Sequence, residues 1–271
     1  MLGNVYRLQS GGTRLLIVCD ADQRRSIPDI FPSAPADELV AAIRAEGVDP
    51  LSAPFSQNIL CIQAGDNTIL VDTGLGAPAS HLPEHLRAEG IAPESVNHVI
   101  ITHGHGDHVG GIADAEGALT FPNARYYCWK SEWDYNMEQV PQLDAAHPLR
   151  RSLPRIEERV RLLDAESEFL PGIRALAAPG HSIGHMALRI TLGELDLLHI
   201  VDAAHIPAQV AHPEWSPRFD YQPDQAAQTR TALFRQAEVD DLLVLAYHFP
   251  WPGLGHVYRE GSALRWQPLL D

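Results

Sequence analysis

The chain reads as an α/β protein, a sandwich of two sheets with outer helices, on three observations. Its 271 residues suit one such sandwich with a shared core. A strand that runs into a cluster of metal-binding residue types occurs twice, around residues 58 to 108 and 173 to 202. No linker, internal charge run or short repeat divides the sequence. A single domain over 1–271 is therefore expected, with a cap segment at about 129–170.

Composition narrows the function classes. A hydrophobic share of 45% and a charged share of 20% are those of an ordinary globular chain. The formal charge of −15 argues against a phosphate-backbone partner, which needs clustered Lys and Arg. Lys130 is the one lysine among 20 basic residues. Cys19, Cys61 and Cys128 lie in apolar surroundings with no C-x-x-C pair, so a disulfide framework is not expected and core packing is. The N-terminus lacks a charged head followed by an apolar run, and no stretch approaches 18 apolar residues. A soluble, cytoplasmic protein with a small-molecule substrate, no nucleic acid and no membrane partner is expected; a homodimer is compatible with the sequence.

In order along the chain, Val5 to Gln9 and Thr13 to Cys19 flank Ser10-Gly11-Gly12 and read as a hairpin. Ile27 to Pro35 is a Pro-punctuated connection. Ala36 to Ala45 reads as a helix, with Ser33 as its cap, Leu39, Val40 and Ile43 on one face and Gly47 beyond its end. Asn58 to Gln63 and Thr68 to Asp72 make a second hairpin, and Glu84 to Glu89 a short helix. Arg125 to Trp129 suggests a strand, and Ser131 begins a helical piece. Pro141 to Glu168 is charged and broken by Pro148 and Pro154. Ile173 to Ala177 is a strand, Met186 to Thr191 and Leu195 to Val201 a hairpin, Pro223 to Glu238 a helix that starts on a favourable proline, and Asp241 to Tyr247 the last core strand.

The centre of interest is Thr102-His103-Gly104-His105-Gly106-Asp107-His108-Val109-Gly110-Gly111, which follows the apolar strand His98 to Ile101. In extended chain His103 and His105 project to the same side and can converge on one cation. Adjacent Asp107 and His108 diverge and suit a second. Three imidazoles and a carboxylate fit zinc or a similar first-row metal; left unpaired and buried together they would be costly.

This H-x-H-x-D-H pattern, preceded by Val71-Asp72-Thr73-Gly74, resembles the signature of the metallo-β-lactamase-fold hydrolases, which implies a four-layer αββα sandwich. The resemblance implies further sites. Asp72 would lie behind the ligands and orient one histidine, since a carboxylate that accepts a ligand's second N–H fixes tautomer and ring angle. Pro179-Gly180-His181-Ser182-Ile183-Gly184-His185 resembles the second motif, with His181 the ligand and His185 a structural histidine. Asp202, after an apolar strand, stands where the family places a carboxylate between two metals, and His248 where it places the final ligand. His256 is expected to pack or hydrogen-bond nearby.

The implied set is His103, His105 and His181 for one metal, Asp107, His108 and His248 for the other, and Asp202 between. The cofactors would be two divalent ions, zinc first, with iron, manganese or cobalt as alternatives. A bridging hydroxide would then attack a carbonyl or phosphoryl centre, with Asp107 and Asp202 at the catalytic metals. The segment His248 to His256 and the Asp202-x-x-His205 pair resemble the branch that holds methyl parathion hydrolase and quorum-quenching lactonases. The implied activity is hydrolysis of a lactone or ester of the N-acyl homoserine lactonase kind; phosphotriester or aryl ester hydrolysis is the alternative, and a mononuclear iron sulfur dioxygenase a more distant one. The best-known acyl homoserine lactonases carry tyrosine where this chain has His205, which makes His205 a candidate donor of a hydrogen bond or proton. Trp129, Trp133, Phe249 and Trp251 are candidate pocket walls, with core packing as the competing role for each.

Overall fold

A computed structural model describes residues 4–269. Among them fourteen strands form two seven-stranded sheets. The first runs in sequence order through β1 (Val5–Ser10), β2 (Thr13–Arg25), β3 (Ala53–Ala64), β4 (Asn67–Val71), β5 (His98–Ile101), β6 (Arg125–Trp129) and β7 (Val160–Leu163). The second contains β8 (Glu168–Leu170), β9 (Ile173–Ala177), β10 (Met186–Leu192), β11 (Leu195–Val201), β12 (Leu243–Ala246), β13 (Leu254–Glu260) and β14 (Ala263–Pro268), again each beside the next. The helices are α1 (Ile27–Ile30), α2 (Ala36–Ala45), α3 (Leu82–Ala88), α4 (Gly106–Val109), α5 (Lys130–Gln139), α6 (Pro148–Ile156) and α7 (Pro223–Val239). No helix among the described residues is long and apolar enough to cross a membrane. The chain divides into two compact units, one made of the residues through Ala21 with Gln57–Glu166 and Leu192–Leu195, the other of Asp22–Ser56, Ser167–Thr191 and the residues from Asp196 on.

In the first unit β4, β5, β6 and β7 are parallel, with Val71 opposite Ile100 and Ile101 opposite Cys128. Parallel strands need crossovers, supplied here by α3 between β4 and β5, α4 between β5 and β6, and α5 and α6 between β6 and β7. Val99, Ile100 and Ile101 are buried, as a central parallel strand covered on both faces requires. The carboxyl ends of parallel strands share one edge of the sheet, the edge where α/β sheets place their ligands. Asp72 after β4 and the histidine motif after β5 consequently meet there.

The second unit repeats the device. Strands β11 and β12 are parallel, with Leu197 opposite Leu243 and Val201 opposite Ala246, so Asp202 and His248 emerge from the same end. Beside them β9 and β10 pair antiparallel, Ala177 against Met186, and the loop between them carries His181. Helix α7 buries Ala226, Leu233, Phe234 and Ala237. The last three pack in a core with Leu198, Ile200, Val244 and Ala246. Leu39 and Ile43 of α2 join Ile27, Phe31, Phe55 and Trp215 in a second core.

The expected hairpins and the strands His98–Ile101, Arg125–Trp129 and Ile173–Ala177 are present, and α2 spans the expected residues. Several details differ. Ser33 does not cap α2, whose N-cap is Pro35; the Ser33 hydroxyl donates instead to the Ser216 carbonyl at 2.9 Å. The stretch read as broken by prolines holds α6, where Pro148 sits in the first turn, His147 accepts the Leu149 N–H, and Pro154 is tolerated near the far end. The strand read as last, β12, is followed by the antiparallel pair β13 and β14.

Phe234, 1% exposed in the core that supports β11 and β12, sets an energetic expectation. Phe234→Ala should lower the unfolding free energy by about 3–5 kcal/mol, measured as a shift of the urea midpoint at unchanged slope.

Candidate functional site

In the first unit the histidine motif is built around one carboxylate. Asp72 adopts a φ of 63°, in the left-handed region that few non-glycine residues occupy, and its N–H bonds the Ile100 carbonyl at 2.8 Å. Its fully buried Oδ1 accepts the Thr102 N–H at 2.8 Å. Oδ2 accepts the Thr102 hydroxyl at 2.7 Å and the His108 Nδ1–H at 2.8 Å. Because that hydroxyl gives its proton to Asp72, its 3.1 Å contact with His103 Nδ1 makes the imidazole the donor. One carboxylate thus fixes the tautomer of two histidines and leaves Nε2 of each as the lone-pair nitrogen.

The rings of this motif cluster. The His103 ring lies 4.0 Å from that of His108 and 4.7 Å from that of His105, centroid to centroid. His105 is the N-cap of α4, and Asp107, half-buried on that helical turn, brings Oδ1 to 3.9 Å from His108 Nε2. Behind the loop the buried Glu132 of α5 accepts the Gly104 N–H and the Asn136 amide, both at 2.9 Å. A Cβ at position 104 would stand 2.4 Å from that amide nitrogen, so any side chain there would have to displace Asn136 from Glu132.

In the second unit the centre is Asp202. A register shift between His199 and Val201, with Val201 at a φ of 51°, turns the end of β11. The Asp202 N–H is accepted by His185 Nε2 at 3.2 Å, while His185 Nδ1–H donates to the Ala178 carbonyl at 3.1 Å, which gives His185 the structural role expected of it. Asp202 Oδ2 lies 3.4 Å from His181 Nε2, 3.4 Å from His205 Nε2 and 3.2 Å from His248 Nε2. Asp202, His205 and His248 each offer a ligand atom within 4.8 Å of the others, all buried. His181 Nδ1–H is held by Asp220 at 2.9 Å and His248 Nδ1–H by the Ser56 carbonyl at 2.9 Å. Both therefore present a lone pair at Nε2.

His205 differs. Its backbone N–H donates to Gln209 at 2.6 Å, but neither ring nitrogen hydrogen-bonds the described residues. The ring stacks with His248 at 5.4 Å and meets Phe219 edge-on at 4.9 Å. Burial pushes its pKa down, against the opposing pull of Asp202, and so favours the neutral imidazole.

The aromatic candidates are less productive. Phe249 is fully buried in the core, edge-to-face with Trp266 at 5.0 Å, and is packing rather than pocket wall. Trp133 is likewise buried, on α5. Trp129 is half-buried, as is Trp251, whose backbone N–H donates to the Ser56 hydroxyl. His256 sits on β13, 3.9 Å from Asp241. Reasoning from sequence missed Asp220, Arg230, Glu132 and Ser56. Only Arg230 carried a signal, as a charge in register with the apolar stripe Ala226, Leu233, Phe234 and Ala237.

The fold class and donor clusters are those of a metallohydrolase, and the comparisons place the family. The model of the metallo-beta-lactamase superfamily matches residues 52–258. The chain belongs to that superfamily of hydrolases and has its α/β fold. It is 25% identical over 189 residues to an atrochrysone carboxyl ACP thioesterase of Claviceps purpurea, covering 69% of this chain and 54% of that protein. It is 27% identical over 115 residues to an N-acyl homoserine lactonase of Bacillus cereus, covering 42% and 40%. The chain thus spans about half the length of the curated relatives it matches. The solved structure of AidC, a dizinc quorum-quenching lactonase in complex with a product, is similar with a TM-score of 0.90 at 24% identity, over 98% of each chain. That of the hydrolase AbOPH has the same score and identity, over 100% of this chain and 99% of its own. At such identity both likenesses concern the fold.

The three hydrogen bonds on Asp72 cannot all survive conversion to an amide, whose nitrogen is a donor. Asp72→Asn should cost about 1–3 kcal/mol of stability, read by chemical denaturation of the metal-free protein.

Proposed function

We propose that the protein is a binuclear metal-dependent hydrolase acting on the carbonyl of a lactone or ester, of the N-acyl homoserine lactonase kind. The observation that carries this reading is the Asp202 carboxylate, one oxygen of which lies 3.4 Å from His181 Nε2 and 3.2 Å from His248 Nε2. Buried acid and imidazoles in that arrangement suit a shared cation better than an apolar core. The ligand set is that read from the sequence: His103, His105, Asp107, His108, His181, Asp202 and His248. The nitrogen and oxygen donors fit zinc best. Two divalent ions, when bound, supply Lewis acidity and a water acidified toward neutral pH.

The chain's own residues supply direction. Asp72 and Asp220 accept the Nδ1–H of His108 and His181, so that each would coordinate through Nε2. Asp202 offers two oxygens where an imidazole offers one nitrogen. The His205 ring, whose Nε2 lies 3.4 Å from Asp202 Oδ2, is a candidate to donate a hydrogen bond to a substrate oxygen. The relatives favour carbonyl over phosphoryl substrates, since a homoserine lactonase and an acyl carrier thioesterase are both named for reactions of acyl groups.

The test is proton release by zinc-loaded protein given N-hexanoyl homoserine lactone. Hydrolysis is expected from the wild type and not from His103→Ala or Asp202→Ala, each with reduced zinc content. No acid release from a protein shown to hold two zinc ions would overturn the lactonase reading and move the weight to phosphotriesters. His205→Phe should keep its zinc and lose about 100-fold or more in kcat; undiminished turnover would remove His205 from the reaction.

A further inference from the structure

We propose that Arg230 is a positioning residue for ligand His181, acting through Asp220, so that helix α7 sets the tautomer and direction of one metal ligand. The proposal rests on the metal reading above, in which His181 is a ligand.

Arg230 is fully buried, as is the Asp220 side chain it pairs with. Its Nη2–H donates to Asp220 Oδ2 at 3.1 Å, while Asp220 Oδ1 accepts the His181 Nδ1–H at 2.9 Å. Three of its other donors go to carbonyls: Nε to Ala203 at 2.6 Å, and Nη1 to Pro213 and to Trp215 at 3.1 Å. A guanidinium cannot lose its proton here, and buried without a counter-charge it would be untenable. Arg230 therefore obliges Asp220 to be a carboxylate. A carboxylate accepts only, so His181 must keep its proton on Nδ1 and turn its lone pair at Nε2 toward Asp202.

The backbone around His181 is tied to the same helix. The Gln222 N–H bonds the Gly180 carbonyl at 2.8 Å, the Tyr221 N–H bonds the His181 carbonyl at 3.1 Å, and the Thr229 hydroxyl bonds the Pro179 carbonyl at 2.7 Å. Gly180, at a φ of +126°, leaves no room for a side chain, since a Cβ would lie 2.2 Å from the Ala226 nitrogen. Arg230 also grips Ala203, the residue after Asp202, and Trp215, whose carbonyl accepts the Gln209 amide that in turn orients the His205 backbone. One side chain thus registers two ligand-bearing loops against α7. The counter-charge that burial of Arg230 demands is the same carboxylate that holds His181.

The experiment uses the full chain and zinc. Affinity is measured by chelator competition for the wild type, Asp220→Asn, Arg230→Met and the double variant. Each single change is expected to weaken zinc binding about 10- to 100-fold, and the double no further than the worse single, since both act on one imidazole. Singles with wild-type affinity, or losses that multiply in the double, overturn the proposal. Should Arg230→Met not fold, the histidine ring nitrogens of the metal-free wild type decide by long-range 1H–15N spectroscopy. His181 should show the Nδ1–H tautomer with a slowly exchanging proton, and the Nε2–H tautomer overturns the relay. A wild type that binds no zinc would undo the metal reading, while the ring spectrum still reports on the relay.

Discussion

Ionised carboxylates accept hydrogen bonds and donate none, and this asymmetry organises both clusters. Asp72 takes two donors from Thr102 and one from His108; since the threonine hydroxyl is spent on it, His103 must give its own Nδ1 proton to Thr102. Asp220 does the same for His181, with Arg230 ensuring that it stays charged. Each imidazole so held exposes a lone pair at Nε2, on the side away from its anchor. The direction of these nitrogens is thereby fixed by hydrogen bonds formed on folding. Without the carboxylates the same histidines would be free to choose either tautomer, and half of those choices turn an N–H where a lone pair is needed.

The strands deliver these groups at a local cost. Asp72 and Val201 both sit at positive φ, and for the β-branched Val201 that conformation costs on the order of 1–3 kcal/mol. It persists because the surroundings leave no alternative. Val201 is fully buried and its carbonyl accepts the Tyr247 N–H, while the Asp72 N–H is bonded to β5. In both cases the strained residue marks the point where a parallel strand stops being sheet and its chain turns toward the site. The strain lies beside the chemistry, and the apolar runs of β5, β11 and β12 offset it.

What was legible in the sequence is what chemistry writes locally. Four ligand candidates within six residues, a strand before them and a second histidine after a Pro-Gly turn are short-range signals, and the strands and α2 follow from apolar runs and periodicity. What was not legible depends on partners distant in sequence. Asp220 is one acid among many in a loop until the fold sets it against His181. Ser33 has the right chemistry and spacing for a cap, yet Ser216 offers its hydroxyl a better-placed acceptor. Strands β13 and β14 lie beyond Pro250, Pro252 and Gly253, which interrupt regular structure after β12, although Gly261-Ser262 between two alternating runs is a hairpin signal. Phe249, a neighbour of His248, is by sequence either a pocket wall or core packing, and its buried ring lies in the core.

His205 is set apart by the same logic that defines the ligands. His103, His108, His181 and His248 each have Nδ1 bonded to an acceptor; the His205 ring has none among the described residues. An imidazole without an anchor is a poor structural ligand, because its tautomer is undecided, and a good mediator, because it can donate from one nitrogen while accepting at the other. Burial depresses its pKa and favours the neutral form, in which both capacities coexist. Stacked against His248 and held by Phe219, its ring is fixed in place while its protons are not. In the proposed function the anchored imidazoles would hold the cations, and His205 would offer a hydrogen bond to a substrate oxygen.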